Sequence, residues 1–331
     1  MEKHLPGIRT PAVCTIQAPC KINLHLAIGE RRPDGFHDLE SLFVTLALGD
    51  TLRFEHSAEK GAYLRFSGHL LVVPAQEIPP EKNLVTRAVS LFRERTGFST
   101  GLSIRLDKRV PVGAGLGGGS SDAASTLLAL NAFSGAALSM DELGEMAAIL
   151  GSDVPFFLSG GAAFVSGRGE KIEPVSVPRG LWVILLMPPF ASDTASAFRL
   201  LDEARAHGKK EVTPGSGGQG ISKEALIRAL EGDPANWPFR NDFLTVFLDS
   251  SLSPDAGHEA RAGVYRALLE QLRQAGASFA GLSGSGSCCF GVFSSKETAE
   301  KAEKALAGQG NYVRLTFFLA QIHNAVLKYN I

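Results

Sequence analysis

Cysteine is scarce in this chain, tryptophan scarcer, and no apolar run is long. The four cysteines, Cys14, Cys20, Cys288 and Cys289, include no C-x-x-C pair, and the last two are adjacent. That spacing suggests neither a zinc site nor a disulfide framework, so they read as buried thiols in a reducing compartment. The longest apolar run, "LWVILLM" from Leu181, stops at Pro188, far short of a membrane span. The opening "MEKHLPGIRTPAVC" lacks the apolar segment of a secretory signal, and a cytoplasmic location is the expectation. No charge of one sign dominates: 33 Lys and Arg against 34 Asp and Glu leave a net charge of −1, which argues against nucleic acid as the main partner.

What is present is an ordinary globular composition, 44 % apolar and 20 % charged over 331 residues, long enough for two domains. "IQAPCKINLHLAI" from Ile16 places an apolar residue at every second position, which predicts a strand with one buried face. The other face carries Gln17, Pro19, Lys21, Asn23 and His25, and Pro19 suggests an edge or a bulge. Pro33-Asp34-Gly35 is turn chemistry, and "GDTLRFEH" from Gly49 resumes strand alternation. "NLVTRAVSLFRERTG" from Asn83 predicts a helix closed by Gly97, and "SMDELGEMAAILG" predicts another with a Ser139–Glu142 capping box. Beyond Gly180, with the insertion between Ala191 and about Ser253 set aside, the pattern runs β-α-β-β-α-β and ends on the strand "YVRLTFFLA". "TPGSGGQG" from Thr213 reads as a flexible loop within that insertion. The domain boundary is expected near Pro174 to Gly180, giving domains 1–176 and 177–331.

The most informative stretch is "PVGAGLGGGSSDAAS" from Pro111. Gly113-x-Gly115-x-x-Gly118 matches the dinucleotide fingerprint by letter, but that fingerprint needs a buried parallel strand leading straight into the first glycine. Here the preceding segment alternates, carries Arg105, Asp107, Lys108 and Arg109, and is interrupted by Pro111. No lysine precedes Ser120-Ser121, so the stretch is not a Walker loop, and neither H-R-D nor D-F-G occurs anywhere. What remains is a glycine-rich loop opening into a helix capped by Ser120 or Ser121. Such a terminus suits a phosphate chain, with Ser120, Ser121 and Asp122 as contacts to phosphate or metal. A tight turn alone would need one or two of these glycines.

"PVGAGLGGGSSDAA" resembles the ATP-binding motif of the GHMP kinases, the superfamily of galactokinase and of homoserine, mevalonate and phosphomevalonate kinases. "APCKINLHLAIGERRPDGFHDLESLF", "EKNLVTRA", "LGSDVPFFLSGGAAFVSGRGE", "NDF" and "GLSGSGSCCFG" follow the order seen in the branch acting on diphosphocytidyl-methylerythritol, over nearly the whole chain. The resemblance implies an α+β fold of two domains, an N-terminal one like ribosomal protein S5 domain 2 and a C-terminal ferredoxin-like split βαβ. It implies ATP and Mg²⁺, a small-molecule acceptor, and transfer of the γ-phosphoryl group to the acceptor's 2-hydroxyl in non-mevalonate isoprenoid synthesis, with no membrane partner.

By the same resemblance Asp153 is the base and Lys21 its partner, the pair keeping a carboxylate in an apolar setting ionised. Pro111, Gly113, Gly115, Gly117, Gly118, Gly119, Ser120 and Ser121 would hold ATP, with Asn83 and Leu84 bordering the adenine. Asn23, Phe36, His37, Thr194 and Phe198 would hold the acceptor, Phe36 and Phe198 sandwiching the cytosine while His37 bonds its edge. "SGSGS" from Ser283 would close the site from the second domain, and His25 reads as structural. The chain departs from the pattern at Cys20, usually Ala, at Phe36, commonly Tyr, and at Leu244, where an acidic residue is common. A kinase for another small alcohol, a binding protein without turnover and a dinucleotide oxidoreductase stay open as alternatives.

Overall fold

The computed structural model describes residues 13–59, 61–67, 79, 81–206, 221–249, 251, 256–307, 312–319 and 328–330. The first half is built on two long antiparallel strands, β1 (Val13–Arg31) and β2 (His37–His56), joined by the turn at Pro33-Asp34-Gly35. There follow β3 (Ala62–Ser67), α1 (Leu84–Thr96), β4 (Leu102–Asp107), α2 (Gly118–Ser134), α3 (Met140–Leu150), the single-turn α4 (Phe156–Ser159), β5 (Ala162–Gly167) and β6 (Lys171–Val175). The second half runs β7 (Trp182–Met187), α5 (Thr194–Ala206), α6 (Lys223–Leu230), α7 (Asp242–Phe247), α8 (Ala256–Gln274), β8 (Phe279–Leu282), β9 (Cys289–Phe293), α9 (Lys296–Ala307), β10 (Tyr312–Phe317) and β11 (Lys328–Asn330).

The helices start where side-chain chemistry dictates. Asn83 caps α1 by accepting the Val85 amide at 2.9 Å, and Gly97 ends it at φ 72°. Ser139 and Glu142 form the expected capping box on α3. For α2 the expectation was misplaced: the cap is Gly117, at φ 69°, and Ser120 and Ser121 lie inside the first turn. A left-handed residue is needed there to turn the chain from the loop into the helix, and glycine adopts it without steric cost. The body of α2 is alanine and leucine with almost every side chain buried, so it is the central helix of the first layer, against β1, α1, α3 and α4.

The second sheet has the order β10-β7-β9-β8, all antiparallel, the 4-1-3-2 arrangement of a split βαβ unit. The insertion after Ala191 holds α5, α6 and α7, and "TPGSGGQG" lies outside the described residues. "YVRLTFFLA" is not the last strand: β11 follows and pairs with β1 in the first sheet, so residues from the second half complete the first. The two halves are sewn together further along as well. The Leu48 amide donates to Thr316 Oγ1 at 2.9 Å, the Leu319 amide to the Thr45 carbonyl at 2.9 Å, and the Leu26 amide to the Arg240 carbonyl at 2.8 Å.

This seam corrects the expectation of a strand with one open face. From Ala18 to Ala27 both faces of β1 are buried, and Lys21, Asn23 and His25 are each 3 % exposed. The bulge expected at Pro19 is present, as a register shift between Pro19 and Lys21. All four cysteines are buried and unpaired, and burial pushes every thiol up. Among the described residues no helix is long and apolar enough to cross a membrane.

Candidate active site

The loop from Pro111 to Gly117 lines a cleft of about 300 Å³ together with Lys82, Asn83, Leu84, Leu106 and Lys108. Gly113, Gly115 and Gly117 all have φ near 70°, so alternate residues of the loop take the left-handed conformation. Gly118, Gly119 and Ser120 open α2 at the cleft, and in the first turn of a helix such amides have no carbonyl behind them to bond. Their N–H groups and the positive end of the helix dipole make this the anion-binding end. Leu84 approaches Gly119, so α1 and α2 border one cleft as expected, although Asn83 is occupied as a helix cap.

Ser121 does not belong with them. Its side chain is fully buried, it does not line the cleft, and its hydroxyl finds no partner among the described residues. Asp122 neither caps the helix nor faces solvent. Its Oδ2 accepts from Lys108 Nζ at 2.8 Å, and Lys108 also pairs with Asp50, all three buried. Burial pushes the Asp122 carboxyl up, against the pull of Lys108.

Beside the start of α2 lies the second expected pair. Lys21 Nζ is 3.5 Å from Asp153 Oδ2, and a Cβ on Gly117 would come within 3.1 Å of Lys21 Cγ. Lys21 Nζ also donates to Asn23 Oδ1 at 2.6 Å and sits 4.4 Å from the centre of the Phe43 ring. Asn23 Nδ2 in turn donates to Ser41 Oγ at 2.9 Å. The lysine is therefore held from several sides, while Asp153, in the turn before α4, keeps about a third of its side chain exposed. The lysine bond explains why Asn23 belongs to this cluster.

The "SGSGS" segment packs on the glycine loop itself. Ser283 Oγ donates to the Gly115 carbonyl at 2.8 Å, and the Cys288 amide to the Ala114 carbonyl at 3.2 Å. Ser285 meets Thr194, Oγ to Oγ1 at 2.8 Å, so Thr194 is drawn to this segment. At the other end of β1, His37 Nε2 is 2.8 Å from Asp202 Oδ1, and the His37 ring stacks on Phe198 with centroids 4.9 Å apart. Phe36 is half exposed under the Arg168 guanidinium, 3.9 Å from its ring centre. The expected open sandwich of Phe36 and Phe198 is thus altered: His37 already covers one face of Phe198, and Arg168 one face of Phe36.

Among the contributors that escaped the reading from sequence are Lys108, Asp50, Asp202 and Arg168. For Lys108 a signal existed, since Leu102, Ile104 and Leu106 face inward and the next position of that parity is 108. His25 is buried, its Nδ1 accepts the Arg240 amide at 3.3 Å, and burial lowers its pKa to about 4.

Family comparison agrees with this geometry. The profile described as GHMP kinases N terminal domain matches residues 83–161, and that described as GHMP kinases C terminal matches 257–311. The chain is 44 % identical over 222 residues to the chloroplastic 4-diphosphocytidyl-2-C-methyl-D-erythritol kinase of Oryza sativa subsp. japonica, covering 65 % of this chain and 53 % of that protein. It thus spans about half the length of the plant relatives it matches. With the kinase of the same name from Treponema pallidum it shares 37 % identity over 295 residues, 88 % of this chain and 94 % of that one. A crystal structure of 4-(cytidine 5'-diphospho)-2C-methyl-D-erythritol kinase superposes with a TM-score of 0.69 at 31 % identity, covering 91 % of this chain and 98 % of that one. With this cover of whole relatives, the chain belongs to the 4-diphosphocytidyl-2-C-methyl-D-erythritol kinase family of GHMP kinases.

Proposed function

We propose that this chain transfers the γ-phosphoryl group of ATP to the tertiary 2-hydroxyl of 4-diphosphocytidyl-2-C-methyl-D-erythritol. One observation carries the reading: the Lys21–Asp153 pair lies against Gly117, the residue from which the anion-binding end of α2 starts. An acid–base pair beside a phosphate cradle is what phosphoryl transfer to an alcohol requires, because the chemistry asks the protein mainly for position and charge.

Asp153 takes the hydroxyl proton as the oxygen attacks phosphorus. Lys21, fixed by Asn23 and by the Phe43 ring, sits beside that carboxylate and stabilises the developing alkoxide. The loop and the first amides of α2 hold the phosphate chain, while the apolar wall at Leu84 and Leu106 takes the adenine. His37 and Phe198, with Phe36, form the far end of the acceptor site. Arg168 lies over Phe36 there, and Asp202 holds His37.

The residues present fit a Mg²⁺ ion that arrives with the nucleotide. Among the described residues no group of three His, Cys, Asp or Glu could hold a metal, and Asp122, which lines the cleft, has its Oδ2 on Lys108 and its buried Oδ1 without a partner. Ser120 is the loop hydroxyl that lines the cleft and would share the ion with phosphate oxygens. Bound there, Mg²⁺ supplies charge neutralisation of the phosphates.

Competition by CMP tests the acceptor assignment. Inhibition competitive with the acceptor and not with ATP is expected, and a kinase for an alcohol that carries no cytidine group would ignore CMP.

A further inference from the structure

The glycine loop is anchored at both ends by one buried ammonium. Asp50, at 0 % exposure on β2, accepts the amides of Arg109 at 2.5 Å and Val110 at 2.8 Å on Oδ1, and pairs with Lys108 on Oδ2. Those amides are the last before the loop. Lys108 then reaches across to Asp122, one turn into α2 and just past the loop's exit. Gly118 completes the arrangement: a Cβ there would meet Val110 Cγ1 at 2.9 Å and Lys108 Nζ at 3.4 Å, so the helix start sits directly on the segment that Asp50 holds. The carbons of entry and exit are in contact, and the charges beneath them are shared.

Burying three charges is not by itself a stabilising device, because desolvation can equal or exceed the attraction gained. What such a cluster does supply is a fixed distance between the elements that bear it. We propose that Asp50, Lys108 and Asp122 are positioning residues that set the separation of the two ends of the glycine loop, and through it the affinity of the cleft for the nucleotide. None of them has to touch the reacting atoms. The proposal rests on the reading that this cleft takes ATP, but not on which alcohol is phosphorylated.

The test uses Asp50→Asn and Asp122→Asn in the full chain, each near-isosteric, with thermal melting to establish that they fold. ADP affinity is measured by calorimetry without acceptor, and KM for ATP and for the acceptor are measured separately. Misplacing the cradle by a fraction of an ångström should raise the ADP Kd and the ATP KM together by about ten- to a hundredfold in Asp50→Asn. The acceptor KM and kcat should stay within about twofold, because the Lys21–Asp153 pair is untouched. Asp122→Asn, which leaves Asp50 and the entry amides in place, should give a smaller rise of the same kind. If Asp50→Asn does not fold, Asp122→Asn alone decides. A folded variant with unaltered ADP affinity, or one whose acceptor KM rises as much as its ATP KM, overturns the proposal. Because ADP binding is read with no acceptor present, this result is independent of the substrate assignment.

Discussion

Lys21 Nζ lies 3.5 Å from Asp153 Oδ2, and the two residues come from separate elements, β1 and the turn before α4. The lysine is buried and bonded to Asn23, whereas the carboxylate is partly open, so the pair has a fixed member and an accessible one. Asp153→Asn keeps the shape and removes the base. It should fold and bind ADP as the wild type does, with kcat lower by about two to four orders of magnitude. Substantial residual turnover would remove the base assignment.

Gly115 packs its backbone directly against a segment of the second half. Its φ is 74°, and a Cβ on it would lie 2.1 Å from the Ser283 carbonyl. Gly115→Ala should therefore cost about 1–2 kcal/mol for the left-handed backbone alone, with the contact adding to it. Gly144, in the interior of α3 with nothing within 4 Å, is the internal control. There alanine should stabilise by up to about 1 kcal/mol. Denaturant midpoints of the two variants that shift in the same direction would contradict this account of the loop.

Much of the fold was legible because its signals are local. Alternation marked β1 and β4, an unbroken apolar run marked β7, Asn83 and Gly97 bracketed α1, and the βαββαβ order matches the 4-1-3-2 pairing of the second sheet. What escaped is non-local. Lys108 and Asp50 are 58 positions apart and His37 and Asp202 are 165 apart, and nothing near any of them in sequence names its partner. The polar row on β1 looked like an open face because the segments that cover it, around Arg240 and Ser283, come from the other half of the chain. The cap of α2 was assigned to serine on propensity, while the left-handed turn out of the loop demanded glycine.

At the acceptor end, the ring of His37 is held between Asp202 and Phe198. Asp202→Asn and Phe198→Ala should each raise the acceptor KM, Phe198→Ala by about tenfold or more given the worth of an aromatic stack. Neither should alter the ATP KM. A Phe198→Ala enzyme with an unchanged acceptor KM would place the base of the substrate elsewhere.

His25 makes a prediction for acid stability. Burial first, and Arg240 second, lower its pKa from 6.5 to about 4 in the folded chain. The unfolded chain therefore binds the proton first, so stability is full above pH 6.5 and falls as pH drops toward about 4, by about 3 kcal/mol from this group. His25→Asn can keep the bond from the Arg240 amide and cannot titrate. Its urea midpoint should fall less than that of the wild type between pH 7 and pH 4.5, and parallel losses would sink the attribution.

The most direct test is coupled ADP release with Mg-ATP, presenting 4-diphosphocytidyl-2-C-methyl-D-erythritol, mevalonate and homoserine to the same preparation. Turnover with the diphosphocytidyl compound, and none with the other two, is the predicted result. ADP formed from mevalonate or homoserine, with no turnover of the diphosphocytidyl compound, would contradict the proposed acceptor and the roles given to Phe36, His37 and Phe198.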